Sequence, residues 1–106
     1  MDKRRVRKII DDFRKALETE GIICNKIILF GSFAKDTATE ESDIDLVVIS
    51  DNFNGMDFWE RNKVISRAIS EIFEPIEAIA YTPDEWEAKH QNFENIVGES
   101  KVIYSA

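Results

Sequence analysis

The chain has one cysteine, one histidine, two prolines and no long apolar run. A lone cysteine, Cys24, excludes an internal disulfide and fits a reducing compartment. With no histidine near it in sequence, Cys24 reads as a small packing residue rather than a nucleophile. A membrane-spanning helix needs about 20 consecutive apolar residues, and no such run is present, so no membrane role is expected. The opening residues MDKRRVRKII lack the apolar region of a secretory signal, and a cytoplasmic location is expected. Net positive charge is missing too. A formal charge of −7 argues against general duplex nucleic-acid binding, which is dominated by phosphate neutralisation. The five basic residues among the first eight read as the solvated face of a helix.

What is present is enough apolar material for one core. At 106 residues the chain suits one domain over 1–106 and is too short for two. Val6, Ile9, Ile10, Phe13 and Leu17 recur at helical spacing, and Gly21 supplies a stop. KIILF (26–30) and the β-branched IDLVVIS (44–50) predict two buried strands, and DNFNG (51–55) predicts a loop. Phe58, Ile65, Ala68, Ile69, Ile72 and Phe73 mark a second helix that Pro75 closes. IEAIAY (76–81) predicts a third strand. Thr82, Pro83 and Glu85 form a helix start, and that helix carries Trp86, Phe93 and Ile96 to a stop near Gly98. KVIY (101–104) predicts a fourth, edge strand. The alternation implies an α/β fold (α+β in some schemes): a single domain with a small mixed β-sheet flanked by helices.

The stretch GSFAKDTATEESDIDLVVIS (31–50) concentrates the chemistry. Strand periodicity puts Asp43 and Asp45 on one face, with Ile44 and Leu46 on the other. Two carboxylates about 7 Å apart along a strand, partly buried, need a counter-charge to stay ionised together. Oxygen-only ligands of this kind suit magnesium or manganese. The alternative is that Asp43 caps a turn and Asp45 faces solvent. Gly31-Ser32 follows a strand directly, and SFAK can open a short helix. Glycine permits close backbone approach, the serine hydroxyl can bond a phosphate oxygen, and free N–H groups attract anions. An antiparallel pairing of the first two strands would bring this turn beside the acids. Glu77 lies near the start of the third strand. A right-handed helical crossover would make that strand parallel to the second and start Glu77 beside Asp43 and Asp45. Together these residues suit metal-assisted attack on a nucleoside triphosphate.

Gly-Ser, ten residues, Asp-x-Asp and an acid on a later strand resemble the DNA polymerase β-type nucleotidyltransferase superfamily. The size is similar to its minimal members, the MNT or MntA-like antitoxin proteins, and the resemblance covers nearly the whole chain. It implies that Gly31 and Ser32 hold the triphosphate and that Asp43 and Asp45 hold two magnesium ions, manganese being the alternative. Glu77 would complete the metal-binding trio and help activate the attacking hydroxyl, and Lys35 would add charge for phosphate. The family usually has Asp at the third acidic position, and many members read Arg-Gly where this chain has Lys35 and Asp36.

The implied activity is transfer of a nucleoside monophosphate, AMP from ATP, onto a hydroxyl with release of pyrophosphate. The chain has no room for the further helical domain of larger relatives. The resemblance therefore implies a HEPN-type helical partner, a toxin whose tyrosine the minimal transferase adenylylates as antitoxin. Self-association is left open. The competing reading is a catalytically weak binding module that neutralises its partner by contact, favoured by Asp36 and Glu77. A metal-dependent nuclease also uses acidic clusters, but the Gly-Ser turn at this spacing argues against one. The chemistry needs no imidazole, so His90 is expected to stand outside it. Trp59, Trp86, Tyr81 and Tyr104 read as packing residues of the core or an interface, and Glu40 and Glu41 as a solvated loop.

Overall fold

Helix α1 (Lys3–Thr19) turns Val6, Ile9, Ile10, Phe13, Ala16 and Leu17 inward, the predicted residues plus Ala16. The structure, a computed structural model, describes residues 1–106. Asp2 caps α1 by accepting the Arg5 N–H at 2.8 Å, which satisfies one of the helix start's unpaired donors. The basic residues at its start are exposed, as expected of a solvated face.

Strands β1 (Lys26–Phe30), β2 (Ile44–Ile49), β3 (Ile76–Tyr81) and β4 (Lys101–Ser105) form one sheet in the order β3-β2-β1-β4. β1 pairs antiparallel with β2 and β4, while β2 and β3 run parallel. Parallel neighbours need a crossover, and helix α2 (Phe58–Ile72) supplies it. Helix α3 (Pro83–Val97) then connects β3 to β4. Its start is the predicted capping box, Thr82 and Glu85 each bonding the other's backbone N–H.

The sheet separates two layers of helix. Ile27, Leu29, Ile44, Leu46, Val48 and Ile76 join α1 and α2 in the main core. On the other face Ile28, Val47 and Ile49 lie beneath Trp86 and Phe93 of α3, with Phe30 and Tyr81 beside them. Strand alternation explains the split, since odd and even positions face opposite layers. Phe13 is fully buried, and truncating such a residue to alanine costs about 3–5 kcal/mol.

Two local expectations are corrected. Asp51–Phe53 winds into a short 3-10 turn capped by Ser50, with Phe53 buried in the core, rather than an irregular loop. Phe73 is 90% exposed and left-handed, with φ 52°. Pro75 keeps its predecessor out of the helical region, so the chain leaves α2 before Phe73 can turn inward. Phe58 and Ile96 lie on the expected helices, near their ends, and are exposed; Trp59 is 77% exposed, which leaves the interface alternative of the expected core-or-interface role. No helix is long and apolar enough to cross a membrane.

Candidate active site

The topology brings the C-terminal end of β1 and the N-terminal ends of β2 and β3 to one edge of the sheet. Phe30 is registered against Asp45 across the antiparallel pair, and Asp45 against Glu77 across the parallel one. Residues directly across a ladder share a face, so Glu77 lies on the same side as Asp45. Asp43 directly precedes β2, two positions from Asp45. The three predicted acids therefore share one face and one end of the sheet. Asp45 is half-buried, while Asp43 and Glu77 are exposed.

Gly31 is fitted to Asp45. Its φ is +73°, and a Cβ added there would stand 3.1 Å from Asp45 Cγ, 3.3 Å from its Cβ, and overlap its carboxylate. Glycine is required twice over, by the left-handed backbone and by the missing space. The turn that follows is a single winding rather than the predicted short helix: Gly31 O accepts the N–H groups of Ala34 and Lys35 at 3.1 and 3.2 Å. Asp36, at φ 58°, ends it. Ala34 is buried in the main core and pins the turn to it. The backbone N–H groups of Gly31, Ser32 and Phe33 have no acceptor in the chain. Three adjacent free donors make an anion-binding concavity. The Phe33 donor was invisible in the sequence, because every residue type carries an N–H and only the turn geometry frees this one.

Electrostatics sets the two halves of the site apart. Burial, followed by the negative charges of Glu77 and Asp43, raises the Asp45 carboxyl above its ordinary range. No lysine or arginine forms an ion pair with any of the three acids. Lys35 is exposed and lies against the C-terminus of α3, its Nζ 3.7 Å from where a Gly98 Cβ would be. A helix C-terminus attracts cations, so this end of α3 holds Lys35 beside the turn. Asp36 lines a concavity with Lys3, Arg7 and Lys101 on the α1 side; it does not contribute to the charge around Asp45.

The donor set fits a divalent cation in its chemistry, since all three groups are carboxylates and Asp45 carries uncompensated charge. As the side chains stand, no three of them converge into a metal-holding cluster. The site is open on its acidic side, where Asp43 and Glu77 are exposed. Phe93 of α3 packs edge-on to Phe30 with ring centroids 5.0 Å apart and forms the nearest wall. His90 interacts with Trp86 and Glu94, outside the site.

Residues 6–103 match the family described as "Nucleotidyltransferase domain". Two proteins of Methanocaldococcus jannaschii are similar over part of the chain. "Putative protein adenylyltransferase MJ1305" is 45% identical over 53 residues, 49% of this chain and 36% of that protein. "Putative protein adenylyltransferase MJ0604" is 50% identical over 46 residues, 42% of this chain and 45% of that protein. The aligned segments thus span less than half of these relatives. Among solved structures, a "putative nucleotidyltransferase" from Sulfolobus solfataricus superposes with a TM-score of 0.69 at 18% identity, covering 95% of this chain and 81% of that one. A toxin–antitoxin structure with AMP-PNP superposes with a TM-score of 0.63 at 20% identity, covering 91% of this chain and 73% of that one. At these identities the structural likeness speaks for the fold.

Proposed function

The chain belongs to the nucleotidyltransferase domain family, and from that premise we propose that it transfers AMP from ATP onto a hydroxyl of a partner protein. The observation that carries this reading is the placement of the three free N–H groups of Gly31–Phe33 next to Asp45, with Glu77 across from it. Donors for polyphosphate and acids for a cation adjoin each other, as transfer to the α-phosphorus requires.

In this mechanism the acceptor oxygen attacks the α-phosphorus and forms a new P–O bond. The bond from that phosphorus to the bridging oxygen breaks, and pyrophosphate leaves against the Gly31–Phe33 backbone and the Ser32 hydroxyl. Glu77, exposed at the rim, takes the proton from the acceptor. Lys35, held beside the turn, adds positive charge on the pyrophosphate side. Asp43, Asp45 and Glu77 would hold magnesium, or manganese, which neutralises charge developing on the phosphate oxygens.

Relatives named for protein adenylylation, and a toxin–antitoxin neighbour with AMP-PNP, support the substrate class. By family likeness the partner is a HEPN-type helical toxin and the acceptor a tyrosine on it, with the pair acting in the cytoplasm. The exposure of Asp43 and Glu77 supports a requirement for a partner surface to complete the site. The test is incubation of this protein and its neighbour-encoded helical protein with α-labelled ATP and magnesium. Label on the partner that disappears with Asp43→Ala supports transfer; a tight unlabelled complex rejects it.

A second reading, neutralisation by contact alone, draws support from the acids' failure to converge on one point. It expects Asp43→Ala and Asp45→Ala to leave neutralisation intact.

A further inference from the structure

The two edges of the sheet are built differently. At β4 the register against β1 shifts between Ile27 and Ile28, and Lys101 stands on the strand. An irregular edge with a lysine resists pairing with another chain. β3 has neither device: its register with β2 is continuous from Ile76 to Tyr81, and it contains no proline or lysine. The Ile44 and Ser50 N–H groups donate to Pro75 O and Tyr81 O at 2.7 and 3.0 Å. Odd-numbered residues of β3 thus face β2, and Ala78 and Ala80 turn their backbone N–H and C=O groups to the free edge. A groove of about 690 Å³ follows this edge, lined by Met56, Phe58, Ala78, Ile79, Tyr81 and Lys89 among others.

We propose that β3 pairs antiparallel with β3 of a second copy about a two-fold axis at Ile79, joining two sheets into one of eight strands. The register follows from the edge. Ala78 and Ala80 supply the hydrogen-bonded pairs, Ala78 of each copy exchanging bonds with Ala80 of the other. Ile79, 39% exposed, then meets its own copy at the non-hydrogen-bonded position, where side chains approach most closely.

Charge selects a second copy as the occupant. In this register Glu77 stands across from Tyr81 of the other copy, on the same face. Lys89 lies 5.3 Å above the Tyr81 ring and has no ion-pair partner within the chain. Pairing brings this free ammonium beside Glu77, twice per dimer. Sliding toward Glu74 would set Glu77 against Ile79, and sliding toward Thr82 would disrupt the Thr82–Glu85 cap. On the α2 side Ala78 and Ala80 present only methyl groups, leaving room for the exposed Phe58 of the other copy. The second copy thereby adds a lysine to the acidic rim. The inference does not depend on the proposed reaction, because molecular mass alone reads it.

Sedimentation equilibrium of the full chain tests it. The expected species has about twice the 12.2 kDa of the chain through the high-micromolar range. Ala78→Pro removes an N–H that faces solvent in the monomer, so it should give a folded monomer by circular dichroism. Lys89→Glu should weaken the dimer about tenfold or more through like charges, and Glu77→Lys combined with Lys89→Glu should restore it. A protein that stays monomeric at every concentration overturns the proposal. A dimer that survives Ala78→Pro, or a charge swap that restores nothing, overturns this interface.

Discussion

The carboxylate of Asp45 occupies the space that a side chain at position 31 would need. One residue's missing Cβ therefore sets where the central acid of the site can lie. Gly31→Ala must strain a left-handed backbone and displace Asp45 at once. The expected stability loss is about 1–3 kcal/mol, read by thermal or urea unfolding. Nucleotidyl transfer should fall far more than that loss explains, because Asp45 and the free N–H groups shift together.

Asp45 also bears unfavourable charge, with Glu77 registered against it and Asp43 two residues away. An acid held above its ordinary range costs stability once ionised. Asp45→Asn is therefore expected to raise the Tm in metal-free buffer near neutral pH, by the equivalent of about 0.2–1 kcal/mol. Magnesium should raise the Tm of the unmodified protein and leave that of the variant unchanged. A destabilised variant would show that Asp45 is satisfied by contacts within the chain.

Glu85 carries the opposite sign. It accepts from Arg61 at 2.6 Å and from the Thr82 N–H at 2.8 Å, which hold its carboxyl down to about 2 from an ordinary 4.5. A depressed folded value contributes stability above the unfolded pKa and loses it as pH falls. The contribution should be complete above pH 4.5 and fade toward pH 2. Glu85 is 39% exposed, so solvent screening limits the contribution to about 1 kcal/mol. Glu85→Gln should flatten the stability-versus-pH curve in that acidic window and change it little between pH 5 and 7 in slope.

Cys24 should be inert in the native protein. It is 1% exposed, and burial pushes its thiol up to about 11, so thiolate is scarce at neutral pH. A thiol reagent should label it only as fast as the fold opens, and denaturant should release the full stoichiometry at once. Rapid labelling of folded protein would contradict the packing role read from the sequence.

The elements were legible because each carried its own local signal. The apolar spacing of Val6 to Leu17, the β-branched run after Asp43 and the Thr82–Glu85 cap each identify an element from neighbouring residues alone. The misread positions lie at boundaries. Phe73 continues an apolar pattern past the point where Pro75 ends the helix, and SFAK begins a helix that Asp36 stops after one winding.

The amino-acid order by itself named the candidates for the site, Gly31, Ser32, Asp43, Asp45 and Glu77, without coordinates. Residue type and strand alternation are local properties, and together with the family resemblance they sufficed to name these candidates. Only the tertiary structure decided how these residues meet. The β1–β2 and β2–β3 registers align Phe30 with Asp45 and Asp45 with Glu77, the turn after Gly31 frees three N–H groups, and the end of α3 draws in Lys35. Register and turn closure depend on which distant surfaces pack together, and no stretch of sequence records that separation. The same packing leaves β3 as an open edge, which no strand can reveal before its neighbours are known.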